Sequence, residues 1–161
     1  MLIKAAEAGR TVYAAFQGAQ LDLVSMRSVE MVLTFLNADS SGKLCQFRVV
    51  SINHVDVTGQ GEGKSGDEFF ARRKHLLPEL YSLLGEDVAS AKLDANQQLI
   101  VSFANDVSLI FSNDPEDVFD SYDFNWSLEF RDNWEHAPGV RCLSCVLSET
   151  GRPEFYSSEG H

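Results

Sequence analysis

At 161 residues with 44% hydrophobic and 23% charged side chains, the chain is long enough for one packed domain and too apolar for a disordered one. It has no run of about 18 apolar residues, which excludes a hydropathy-type membrane span, and its three cysteines do not pair into a secreted disulfide framework. The net charge of −11 repels nucleic acid and anionic membrane.

The chain opens with MLIKAAEAGRTVYAAFQG, which breaks at Glu7, Gly9 and Arg10 and so makes a poor secretory signal. A cytoplasmic protein is the simplest expectation. Residues 2–16 suit a helix, although TVYAAF followed by QG also suits a strand and turn. Strands are expected over 29–36 and 44–50, around the loop NADSSGK, with 51–57 continuing as a strand or bend.

Next comes VTGQGEGKSGDEFF, residues 57–70, with glycine, lysine and serine between a strand-like and a helix-like run. A phosphate-binding loop would need Gly five positions before Gly63, where Thr58 stands; Gly59, Gly61 and Gly63 recur at every second residue instead. Gly, Ser, Glu and Lys are linker residues, so residues 59–66 read as a linker. The following helix is expected over 67–84, with Asp67 as its cap, an apolar stripe containing Phe69, Phe70, Arg73, Leu76, Leu77, Leu80, Leu83 and Leu84, and Gly85 as its stop. Pro78 removes a helical hydrogen bond and allows two shorter helices instead.

Beyond Gly85, strands are expected over 99–103 and 107–111 around the turn Ala104-Asn105-Asp106, then over 124–130 and 140–147 around Pro138-Gly139. The tail from Ser148, rich in Gly, Pro and Ser, reads as loose. Two stretches run alike, G18-AQLDLVSMRSVEMVLTF35 and G85-EDVASAKLDANQQLIVSF103, each preceded by a helix-compatible segment carrying Tyr13 and Phe16 or Tyr81 and Leu84. The expected fold is therefore α+β: a single domain of antiparallel β meanders in two duplicated halves, 1–58 and 67–135, with a central helix and a loose tail over 148–161.

No catalytic motif stands out. Cys142 and Cys145 form a CxxC, but three residues apart on a strand they face opposite sides and read as inert thiols. His54, His75, His136 and His161 show no ligand spacing. Charge is the distinctive feature. Residues 1–85 carry nine acids and nine bases, whereas residues 86–135 carry twelve acids against Lys92 and Arg131. Within that block, NDPEDVFDSYDFNW holds Asp114, Glu116, Asp117, Asp120 and Asp123, and it lacks the glycine of a calcium loop. Tyr122, Trp126 and Trp134 interleave with or follow these acids. Aromatic anchors among carboxylates suit a positively charged protein surface, with the charges steering association.

The stretch LLGEDVASAKLDANQQLIVSFANDVSLIFSNDPEDVFDSY resembles an uncharacterised bacterial domain family in its Leu83-Leu84-Gly85 start, in Phe103 before the turn and in Asp120-Ser121-Tyr122, where Asp replaces the family's Glu. That resemblance implies a fold pattern and carries no activity. In type, a small, acidic, motif-free α+β chain resembles the immunity proteins of bacterial toxin–immunity systems. The expectation is a non-catalytic protein without cofactor or metal that occludes a basic toxin, such as a nuclease. Two alternatives are a carboxylate- or metal-dependent hydrolase using the 114–123 acids, and a homo-oligomeric module, at simplest a homodimer, paired through sheet edges.

Overall fold

The computed structural model describes residues 1–27, 29–58, 69–113, 124–131, 135 and 138–159. The linker reading over 59–66 lies outside them. In chain order the elements are β1 (Leu2–Ile3), α1 (Ala5–Phe16), β2 (Gln20–Met26), β3 (Met31–Ala38), β4 (Leu44–Ser51), β5 (Val55–Val57), α2 (Phe69–Ser82), β6 (Val88–Leu93), β7 (Leu99–Phe103), β8 (Ser108–Phe111), β9 (Trp126–Phe130), β10 (Val140–Leu147) and β11 (Pro153–Glu159). They form a seven-stranded sheet in the order β1-β11-β10-β9-β4-β3-β2 and a four-stranded sheet in the order β5-β8-β7-β6. Every pairing in both sheets is antiparallel, so the fold is α+β. The strand before the glycine-rich segment, β5, runs antiparallel to β8, whereas a phosphate-binding loop needs a parallel sheet.

Helix α1 buries Ala8, Val12, Ala15 and Phe16, one stripe at helical spacing. Its start is plain: extended Lys4 offers only its carbonyl, which accepts the N–H groups of Glu7 and Ala8. Its end is better satisfied. The buried Asn37 side chain on β3 donates to the carbonyls of Gln17 at 2.8 Å and Ala15 at 3.4 Å, supplying donors that the last turn lacks. Helix α2 is continuous through Pro78. It buries Arg73, Leu76 and Leu80 and leaves Phe70 exposed; just past its end Leu83 is buried and Leu84 is exposed.

The two helices lead into the same sequence of elements. Each is followed by a glycine at positive φ, Gly18 at 76° and Gly85 at 83°, and then by three antiparallel strands, β2-β3-β4 or β6-β7-β8. The first strand of each set has its irregularity at the same place, between Leu21 and Leu23 and between Val88 and Ser90. Leu21 lies opposite Phe35, and Val88 lies opposite Phe103.

The two strand starts are stitched together. Leu21 N–H donates to Glu86 O at 3.1 Å, Val88 N–H to Ala19 O at 2.8 Å, and Gly85 N–H to Leu21 O at 2.8 Å, with Gln20 facing Asp87. These contacts join β2 and β6, each the last strand of its sheet. Helix α1 packs against β6, and α2 against β5 and β2.

One apolar core spans both sheets and both helices. Phe16 meets Phe35 and Phe47 edge-on at 5.0 Å, and Phe35 stacks against Phe103 of the other sheet at 6.5 Å. The loose-tail expectation is corrected. Pro153–Glu159 is strand β11, held between β10 and β1. Its polar composition misleads because Phe155 and Ser157 alternate inward and are buried, while Tyr156 and Ser158 face out.

Gly85 isolates the backbone term, because a Cβ there would meet nothing within 4 Å. Gly85→Ala is expected to lower the unfolding free energy by about 1 kcal/mol through left-handed backbone strain alone, measured by urea denaturation.

Candidate functional site

After its third strand, each set sends its chain across to the other sheet. From β4 the chain passes through Ile52-Asn53-His54 into β5, which adds to β8 of the four-stranded sheet. From β8 it continues past Ser112 and Asn113, and β9 adds to β4 of the seven-stranded sheet. The two connections meet in a buried polar seam. Backbone that leaves a ladder in a dry place must find new partners, and here each connection supplies them to the other. Ser112 N–H donates to His54 O at 3.1 Å and Ile52 N–H to Asn125 O at 3.1 Å. The Asn53 side chain donates to Ser112 O at 3.1 Å, and the Asn113 side chain donates to Gln97 O. Asn125 Nδ2 reaches Asn113 Oδ1 at 3.5 Å, and Asn125 N–H donates to Cys145 O at 2.7 Å.

Arg73 of α2 enters the same seam and is only 3% exposed. One guanidinium nitrogen donates to Asn53 O at 2.8 Å, Val29 O at 3.1 Å and Ser51 O at 3.5 Å. Burial lowers its pKa to about 10, which leaves it cationic at neutral pH. His54, also buried, places Nε2 2.8 Å from an Asp56 carboxylate oxygen. That hydrogen bond, opposed by partial burial, holds the Asp56 carboxyl below the ordinary 3.8.

The seam is where the acidic stretch is attached. Asn113 immediately precedes Asp114, and Asn125 follows Phe124. Asp114, Glu116, Asp117, Asp120, Tyr122, Asp123 and Trp134 lie outside the described residues. Trp126 is placed, and its assignment as a surface anchor is corrected. It is fully buried on β9, opposite Cys145 and Ser51, with Phe155 at 6.1 Å. Alternation along β9 turns it to the core. Several acids of the negative block have partners. Glu129 pairs across strands with Arg48, Glu135 accepts Ser40 N–H at 2.9 Å, Asp87 accepts a hydrogen bond from Gln20 at 3.3 Å, and Asp94 accepts the N–H groups of Asn96 and Gln98 at 2.8 Å. Asp106 is exposed.

The CxxC lies on β10 with its thiols on opposite sides, Cys145 facing Trp126 and Cys142 facing Glu129. Burial pushes both thiols up, Cys145 to about 12, so neither is a thiolate at neutral pH. Among the described residues no group of three or more His, Cys, Asp or Glu is arranged to hold a metal. Sequence reasoning missed the seam: Arg73 was read as part of an apolar stripe, His54 as an isolated histidine, and the asparagines not at all. Asn53 and Asn113, each two residues beyond the end of a strand, were the available signal.

The chain is thus an α+β protein of two antiparallel sheets joined through a polar seam from which an acidic segment departs. Comparison with protein-family models, with curated proteins and with solved structures found no match.

Arg73→Met should lower the unfolding free energy by about 3 kcal/mol, since three seam carbonyls lose their donor, and Arg73→Lys should recover part of the loss; chemical denaturation reads both. The Asp56 contribution has a defined sign. A carboxyl lowered on folding adds stability above its unfolded pKa, near 3.8, and that stability is lost as pH falls through the lower folded value. The stability difference between the parent and Asp56→Asn should be present at neutral pH and vanish in strong acid, followed by denaturation across pH 2–7.

Proposed function

We propose that this is a non-catalytic binding protein: an immunity protein that neutralises a basic cognate toxin, such as a nuclease, by stoichiometric occlusion in the cytoplasm, without cofactor or turnover. The observation that carries the reading is the placement of charge. Five carboxylates fall within ten residues, 114–123, and the seam holds both flanks of that stretch through Asn113 and Asn125. Carboxylates tethered at one place resemble the phosphates a nuclease binds, and they speed association with a cationic surface. No helix among the described residues is long and apolar enough to cross a membrane.

The reading also includes a duplication, with the two helix-glycine-strand-strand-strand sets as copies of one unit and α2, the helix of the second, between the two strand meanders. The matched bulges, the two positive-φ glycines and the equivalent pairs Leu21–Phe35 and Val88–Phe103 support it. So does the stitch itself, because Leu21 N–H to Glu86 O and Val88 N–H to Ala19 O are the same bond seen from each copy.

The test is capture of a basic protein encoded beside this one in the native host. Replacing Asp114, Asp117, Asp120 and Asp123 by Asn and Glu116 by Gln should leave unfolding unchanged. At low salt it should weaken the complex by about a hundredfold or more, with most of the loss screened away at high salt. Unchanged affinity, measured by titration calorimetry at two salt concentrations, rules this surface out.

A further inference from the structure

We infer that the free edge of β2, over residues 23–26, pairs with the same edge of a second copy of this chain and joins the two seven-stranded sheets across a two-fold axis. This pairing is independent of the proposed binding role. The hairpin between β2 and β3 fixes which backbone groups face the edge. Arg27 N–H donates to Glu30 O at 2.8 Å, so Arg27 turns its hydrogen-bonding groups toward β3. Direction alternates along a strand. Ser25 and Leu23 therefore also turn toward β3, while Val24 and Met26 turn to the open side.

The stitch does not reach these groups. It is confined to the start of the strand, through Ala19, Gln20 and Leu21, and the irregularity between Leu21 and Leu23 follows it. Among the described residues the outward backbone groups of Val24 and Met26 have no hydrogen-bond partner. Exposure agrees. Val24 belongs to the cross-strand row Val24, Leu33, Val49, Leu128 and Leu143, in which the other four are 0% exposed and Val24 is 8%.

The other edges among the described residues are shielded. Strand β1 has two residues, and β5 has three and carries Asp56. Strand β6 carries Lys92 and has α1 packed against it. Beyond β1, β11 presents Pro153, Glu154 and Glu159. Short length, charge, proline and a packed helix are the means by which edges are kept from pairing. Residues 23–26, Leu-Val-Ser-Met, contain no charge, Pro or Gly. Helix α2 also packs against β2, with Leu76 and Leu80 in the same core as Val24, so it lies on the strand's inner face and not along its edge.

A second copy fits this edge. An isologous contact sets the strand antiparallel to itself. A two-fold axis at Val24 puts Val24 opposite Val24, Leu23 opposite Ser25 and Asp22 opposite Met26, so no like charges face each other. The two Val24 residues then exchange a pair of N–H···O bonds. Leu23, 47% exposed, and exposed Ser25 share the sheet's outer face, and each Leu23 is covered by the other copy. The net charge of −11 on each copy opposes association at longer range, so added salt strengthens the pair.

Sedimentation equilibrium of the full chain tests this. Between about 1 µM and about 1 mM the mass should rise from monomer to dimer, and at lower protein concentration when salt is raised. The Val24 amide should exchange hydrogen about tenfold more slowly in the dimer. Leu23→Lys combined with Ser25→Lys sets lysines opposite one another across the axis at two exposed positions. That variant should keep the parent's circular dichroism and dimerise about tenfold more weakly or worse. A parent that stays monomeric up to about 1 mM overturns the inference. So does a dimer in which Val24 exchange is unchanged, or one that the two lysines leave intact. Should the double variant misfold, Val24 exchange in the parent decides.

Discussion

The structure depends on two chain segments being able to cross in a dry place. Each leaves one sheet for the other, and each would strand backbone groups at the crossing without a partner. The solution is mutual: His54 and Asn125 offer carbonyls to Ser112 and Ile52, and Asn53 spends its side chain on Ser112 O. Arg73 gathers the carbonyls of Val29, Ser51 and Asn53 onto one guanidinium nitrogen. An unpaired buried amide or carbonyl costs about 1–3 kcal/mol, so this polar seam is a condition for the apolar core on either side of it.

The same reciprocity governs the apolar parts. Phe35 and Phe103 occupy matching positions in the two strand sets and stack on each other. The stitch through Gln20 and Asp87 joins the starts of the terminal strands β2 and β6, with α1 packed against β6 and α2 against β5 and β2. Neither strand set buries its hydrophobic face alone. This is why the two read as one domain despite the two sheets, and why the connection between them exchanges strands.

Charge is distributed with the opposite logic. The first 85 residues are balanced, and one of their bases, Arg48, is committed to Glu129. The acids concentrate after Gly85, most densely between Asn113 and Asn125.

Periodicity by itself determined most elements. Alternation located β3, β4, β7, β8, β9 and β10 to within a few residues, and Gly85 marked the exit of α2, because local sterics and amphipathicity act over short range; residues 2–16 suited a helix and a strand with a turn alike. It also brought out the likeness of 18–35 and 85–103. Tertiary structure alone decided the rest. Whether Trp126 is an anchor or core turns on which face of β9 is covered. Whether 153–159 is tail or strand turns on β10 offering an edge. Whether Arg73 belongs to a stripe or a polar seam turns on carbonyls 20 to 44 residues away in sequence. Burial and hydrogen-bond partnership are properties of pairs distant along the chain, and no local pattern records them.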